Sequence, residues 1–224
     1  SSPHDEFALY RIINSNDEIS ADFRAGLKIL KTFYCYTSMT YKNPPQKLVV
    51  SYSTTAIVFH WLMALVLIAN FAFGTYMHDL PLSPQKLQYY SWHKWAGITL
   101  LGLVTLRLVW RLLVRPPALL PAPAWQQKVA HLLHGLLYIL MFAIPLSGWM
   151  MSSASGFPVV LFGVWQLPDL VPKDKPLFEI LKDVHEALNI GLLVLVIVHV
   201  AAALKHHFVD RDATLGRMLP WAGK

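Results

Sequence analysis

Four apolar stretches dominate the 224-residue sequence, at 54–77, 92–114, 129–151 and 187–204. Each approaches the roughly 20 residues that an α-helix needs to cross a bilayer. A soluble four-helix bundle carries a polar stripe along each helix. A run such as LLVLVIVHVAAAL (192–204) carries none. Composition agrees, with 55% of residues hydrophobic and 14% charged, where a soluble domain is nearer a quarter charged. These values argue against a soluble α/β enzyme, a nucleic-acid binder and a disordered scaffold. The predicted fold class is all-α: an integral membrane four-helix bundle, running up-down-up-down across the bilayer.

The helix limits are marked in the sequence. Ser83 followed by Pro84 reads as an N-cap and first helical residue ahead of the second span. Pro176 reads as a similar opening for the fourth helix, and Arg115-Pro116-Pro117 as the end of the second. Pro145 lies inside the third span and predicts a kink. Residues 152–175 read as a loop, whose apolar piece PVVLFGVWQLP (158–168) is too short to span and suits an interfacial flap.

Lys and Arg near the span ends set the orientation. Lys42, Lys47, Arg107, Arg111, Arg115, Lys128, Lys205, Arg211, Arg217 and Lys224 fall on one face. The other face has Lys86, Lys94, Lys173, Lys175 and Lys182, set against Asp79, Asp169, Asp174, Glu179, Asp183 and Glu186. The reading is a bacterial inner (cytoplasmic) membrane protein with both termini cytoplasmic. The net charge of +6 is then a positive-inside signal that needs no nucleic acid. The single cysteine, Cys35, leaves no disulfide framework, Cys-rich zinc site or iron–sulfur cluster.

The first 38 residues are polar and mixed, with no signal-peptide pattern. Residues 19–33 suit a weak amphipathic helix, and Met39 begins a passage like a natural start. Two readings stand for 1–38: a dispensable extension or gene-delimitation artefact, and a real cytoplasmic arm. The core domain is 39–219, followed by a cytoplasmic tail at 220–224.

His60, His93, His134, His185 and His199 sit within or at the edge of the spans. Ionisable residues there are functional candidates by default, although any single one also fits a neutral imidazole bonded to a backbone carbonyl. His185 and His199 are 14 residues apart. That is about 3.9 helical turns, so both point nearly the same way, about 21 Å apart along the axis. His60 opens the first span on the inner side and His93 the second on the outer side. Depth pairs His60 with His199 and His93 with His185. Two stacked bis-histidine pairs in a bundle suit two b-type haems. Zinc fits poorly, because two imidazoles leave a tetrahedral shell short.

The 14-residue offset finds supporting residues. Arg107 shares the face of His93 at inner depth, where it either snorkels or pairs with a haem propionate. Gly74 and Gly148 follow His60 and His134 by the same interval, and leave room for a macrocycle or simply for helix packing. His131 and His134 form an i, i+3 pair near Lys128. They suit propionate contact, a ubiquinone site or interfacial structure. His206 and His207 flank the inner site and fit either propionate contact or a solvated helix end.

The segments FHW (59–61), WHKWAG (92–97), RLVWR (107–111), HGLLYILMFAIPLSGWMM (134–151), KDVHE (182–186) and HVAAALKHHFVDRDATLGRML (199–219) together resemble the bacterial cytochrome b561 family. The similarity covers about 40–219. Described members of that family include a superoxide:ubiquinone oxidoreductase. The resemblance implies four helices, two haems b, quinone-linked electron transfer, and axial ligands at His60, His93, His185 and His199. It also implies superoxide as the outer donor, although the acids on the outer face do not favour an anion. Two further readings remain: a haem-b anchor subunit serving a redox partner protein, and a small non-redox transporter.

Overall fold

A computed structural model describes residues 51–219, together with residues 28 and 30–32. The latter are helical, and the Thr32 hydroxyl donates to the Lys28 carbonyl at 2.8 Å. The rest of the expected 1–38 extension, including most of the weak helix at 19–33, lies outside the described residues, as does the 220–224 tail. The chain divides into two units, Ser1–Leu48 and Val49–Lys224. The second unit carries all four apolar stretches.

Four helices form this unit: α1 (Thr54–His78), α2 (Pro84–Leu113), α3 (Ala124–Ser155) and α4 (Lys175–Phe208). All four are long and apolar enough to cross a membrane. Their starts follow capping chemistry. The Ser83 side chain accepts from the Lys86 N–H with Pro84 in the first turn, and Asp174 accepts from the Leu177 N–H. The fourth helix therefore opens at Lys175, one residue before Pro176. α3 continues through Pro145 and closes on Gly156, whose φ of 79° is the left-handed cap that glycine tolerates best.

The helices overrun their apolar stretches. α4 has 34 residues, about 51 Å at 1.5 Å per residue, against a hydrocarbon core of about 30 Å. The excess lies in the helix ends, such as the charged first turns of α4 at 175–183. Along the spans, Leu65, Ile68, Leu106, Leu132, Ile139 and Ile197 face outward. A soluble bundle would bury such residues; a lipid-facing one has no reason to.

Each helix packs on its successor, most extensively α3 on α4, which is the up-down order. α1 and α4 pack far less closely. A groove between them is lined by Leu67, Ile68, Phe71, Leu192, Leu193 and Val196.

The α3–α4 connection is more ordered than the loop expected over 152–175. Helix α3 runs on to Ser155, and the Ser153 and Ser155 hydroxyls bond back to helix carbonyls. A hairpin then pairs β1 (Val160–Leu161) with β2 (Trp165–Gln166). Phe162 and Gly163 both take positive φ, 53° and 73°, as a type I′ turn requires. The hairpin is tied down rather than free. Trp95 Nε1 donates to the Val160 carbonyl at 2.6 Å and Lys94 Nζ to the Phe157 carbonyl at 3.2 Å. Its tip stays apolar and exposed, at Phe162, Val164 and Trp165.

At the opposite end, residues after α4 fold back through a 3₁₀ turn (Gly216–Met218). The Met218 carbonyl accepts from Trp61 Nε1 at 2.7 Å. Buried Arg217 lies over the Tyr52 ring at 5.6 Å.

Candidate cofactor site

The bundle brings four histidines together at two levels. His60 of α1 and His199 of α4 have ring centres 6.2 Å apart. His93 of α2 and His185 of α4 have ring centres 6.5 Å apart. A metal–imidazole bond is about 2 Å and the ring centre lies about 1 Å behind its nitrogen, so two imidazoles on opposite sides of one ion stand roughly 6 Å apart. Both pairs have that spacing. The apolar groove between α1 and α4 opens between the two levels, at 67–71 and 192–196.

The Nδ1 atoms of three of these rings have contrasting surroundings. His185 Nδ1 lies 2.9 Å from the buried Ser147 hydroxyl. His60 Nδ1 accepts from Arg107 Nη1 at 3.2 Å. His93 Nδ1 is buried without a hydrogen bond of normal geometry, with the Asn70 backbone beside it. A buried imidazole nitrogen without a firm partner is costly. It fits a ring whose arrangement is completed by something else. Imidazole pairs at ligand spacing, an orphaned ring nitrogen and an open apolar groove are together compatible with a large, flat metal-bearing cofactor such as haem.

Gly74 and Gly148 each lie against one ring of the His93–His185 pair. A Cβ on Gly74 would come within 3.0 Å of His93 Cε1, and one on Gly148 within 3.1 Å of His185 Cε1. These two glycines set how closely α1 approaches His93 and α3 approaches His185. Gly102 has nothing within 4 Å at the corresponding position.

The His60–His199 level gathers positive charge. The guanidinium groups of Arg107 and Arg111 both lie 5.8 Å from the Tyr138 ring centre. The His134 ring meets His199 edge-on at 5.4 Å. His131 is exposed on the same helix, close enough for its charge to reach His134. No Asp or Glu occurs anywhere in 80–168, so α2 and α3 bring the inner cluster no carboxylate. The arrangement suits an anionic group.

His206 bonds to carboxylates at the end of α4. Its Nδ1 lies 2.7 Å from Asp212 Oδ2 and 3.1 Å from Asp210 Oδ2. Lys205 bonds both oxygens of Asp210. Partial burial alone would raise the Asp212 pKa, but the Thr214 hydroxyl and N–H and the His206 ring outweigh it and hold that carboxyl below its ordinary value. This clamp closes the end of α4. His207 packs on Phe208 at 4.8 Å.

Three participants carry neither a histidine nor a 14-residue offset to mark them. Ser147 and Tyr138 look like ordinary small and aromatic residues of a span. Their only signal is a polar atom within an apolar run. Lys94 counts as an outer cation in the sequence, but its ammonium lies close enough to His93 for their charges to interact.

A four-span bundle built around paired intramembrane imidazoles defines a class of small haem-compatible membrane proteins. The profile of the family described as "Prokaryotic cytochrome b561" matches residues 51–221. "Cytochrome b561 homolog 2" of Escherichia coli (strain K12) is 34% identical over 190 residues, covering 81% of this chain and 95% of the relative. "Cytochrome b561 homolog 1" of the same organism is 34% identical over 172 residues, covering 75% and 97%. "Probable superoxide oxidase CybB" of Yersinia pestis is 30% identical over 173 residues, covering 75% and 96%. The chain belongs to the prokaryotic cytochrome b561 family, multi-pass membrane proteins of electron transfer, and that membership implies haem b.

The glycine contacts make a direct prediction. Gly74→Val and Gly148→Val each force a β-branched side chain against an outer imidazole and should destabilise the protein by about 1–3 kcal/mol. Gly102→Ala meets open space and should be neutral or gain up to about 1 kcal/mol from helix propensity. Unfolding in detergent measures all three; equal effects at all positions would show that the rings yield freely.

Proposed function

We propose that this chain is a di-haem b cytochrome of the bacterial inner membrane, with both termini cytoplasmic, that carries electrons between an outer-side donor and ubiquinone. The observation that carries the reading is the pair of imidazole couples, each at the spacing of two ligands on one metal. His60 and His199 hold the inner haem iron, and His93 and His185 the outer. Bound haem supplies the one-electron redox chemistry. The polypeptide holds, orients and insulates, and performs no covalent step.

Arg107 has two exclusive uses. A guanidinium only donates, so its present bond requires a bare Nδ1 on His60. An imidazole bound to iron through Nε2 carries its proton on Nδ1 and cannot accept. Ligation by His60 therefore releases Arg107. The freed guanidinium, with Arg111 beside it on Tyr138, is placed to neutralise a propionate. Gly74 and Gly148 keep the outer rings close to the backbones of their neighbouring helices. His206 belongs with the helix-end clamp in this reading.

Superoxide is the proposed outer donor. The name of the Yersinia pestis relative suggests it, and Lys94 adds a cation beside His93. The outer lysines are mostly engaged: Lys86 donates to the His78 carbonyl, Lys94 to Phe157, and Lys182 faces Glu179. Lys94 is the outer lysine whose charge reaches His93, so attraction of an anion towards that ring would centre on it. A second reading, a conduit subunit serving a protein redox partner, draws support from the exposed apolar hairpin tip.

Pyridine haemochrome assay should give close to two haems b per polypeptide. His60→Ala or His199→Ala should each remove the inner spectral component and spare the outer. One haem per chain, or loss of the outer component alone, would break the pairing.

Superoxide added to the oxidised protein should reduce its haem absorbance, more slowly in Lys94→Gln and with weaker salt dependence. No reduction by superoxide, with reduction by a periplasmic redox protein instead, would favour the conduit reading.

The quinone site is proposed on the cytoplasmic half, at His131 and His134 with Lys128 one turn away. An imidazole can bond a quinone carbonyl and pass it a proton near neutral pH. His131→Ala and His134→Ala should keep full haem content while ubiquinol reduces them several-fold more slowly. Unchanged kinetics in both would move the site to the outer face.

A further inference from the structure

We propose that Ser147 is a positioning residue that sets the tautomer of His185 and lowers the potential of the outer haem. The inference rests on the reading of His185 as an iron ligand.

The available hydrogens decide the tautomer. Ser147 Oγ lies 2.8 Å from the Ile144 carbonyl and 2.9 Å from His185 Nδ1. A serine hydroxyl has one hydrogen, and a carbonyl only accepts. That hydrogen is committed to Ile144, so the oxygen presents a lone pair to the ring. His185 Nδ1 must then carry the proton. The Ile144 carbonyl faces the same ring, and it too can only accept. Two acceptors thus converge on one Nδ1–H, and the lone pair left free is that of Nε2. Ser147 is only 6% exposed, so water has little access to replace it.

The neighbouring residue completes the arrangement. Gly148 leaves the room in which the His185 ring lies. Consecutive residues of α3 thus supply the hydrogen-bond acceptor and the clearance. The other rings differ: Arg107 holds His60 in the opposite tautomer, and His93 Nδ1 has no firm partner. Among these three rings, His185 is the one with a side-chain acceptor beside its Nδ1.

A hydrogen bond accepted from Nδ1–H makes the ring a stronger donor to a metal. A stronger donor stabilises the oxidised metal and lowers the reduction potential. Ser147 therefore acts on the outer haem through His185, without touching it.

Potentiometric titration of the purified holoprotein tests this in Ser147→Ala and Ser147→Thr. Ser147→Ala should retain both haems, raise the outer midpoint potential and leave the inner one unchanged. Threonine keeps a hydroxyl able to bond the preceding helical turn, and should restore the wild-type value. Loss of the outer haem in Ser147→Ala but not in Ser147→Thr would also support the role. An unchanged outer midpoint in Ser147→Ala, or an equal shift in both variants, would overturn it. His185→Ala separates the two levels of inference. If it keeps the outer haem, His185 is no ligand and both readings fall. If it loses the outer haem while Ser147→Ala leaves the midpoint unmoved, only the role of Ser147 falls.

Discussion

A polar nitrogen inside a bilayer has no water to bond, so every intramembrane imidazole must find its partners within the bundle. Much of this structure answers that constraint. Ser147 lies at hydrogen-bond distance from His185, Arg107 donates to His60, and His134 turns edge-on to His199. Where the answer is incomplete, as at His93 Nδ1, the geometry leaves an opening. The loose α1–α4 contact and the close glycine approaches belong to the same solution. Helices packed tightly all round would leave no space between the rings; helices without Gly74 and Gly148 would push the rings off their present positions.

The spans and the two-level arrangement of the histidines were readable because they rest on periodicity. Fourteen residues return a helix to nearly the same face, so His185 and His199 align whatever surrounds them. The cap at Ser83 was readable for a similar local reason. Features that depend on tertiary contact were not. Ser147 looks like a packing residue until α4 brings His185 to it. The 152–175 segment reads as a loop, because the hairpin is held by Trp95 and Lys94 from a helix some 60 residues earlier. His206 reads as a neighbour of the inner pair by sequence distance, and its contact with Asp212 depends on the chain's return after α4. The Arg107 offset located its depth, but its bond to His60 Nδ1 depends on the α1–α2 approach.

The two ends of the bundle are built from different materials. The outer end is framed by a tethered apolar hairpin, with Lys94 as the cation beside His93. The inner end gathers Arg107, Arg111 and His134 around Tyr138 and His199, without a carboxylate from 80–168. Positive charge at the inner level stabilises an added electron there relative to the outer level. On the proposal for Ser147, hydrogen bonding of His185 would act in the same direction by favouring the oxidised state. In the proposed reading, these two asymmetries would bias an electron from the His93–His185 level to the His60–His199 level.

The inner end is also where the chain closes on itself. Trp61, next to His60, donates to the Met218 carbonyl, and Trp110 Nε1 donates to the Ser53 hydroxyl that caps α1. Arg217 lies buried against Tyr52. The segment after α4 is therefore part of the wall around the His60 level rather than a loose end. Its position depends on the clamp of Lys205, His206, Asp210 and Asp212, which turns the chain back at the end of α4. Carboxylates absent from the cluster around Arg107 are thus present one step further out, where they order the polypeptide instead of neutralising the inner guanidinium groups. That separation keeps these acids engaged away from Arg107 and Arg111, whose guanidinium groups lie on Tyr138.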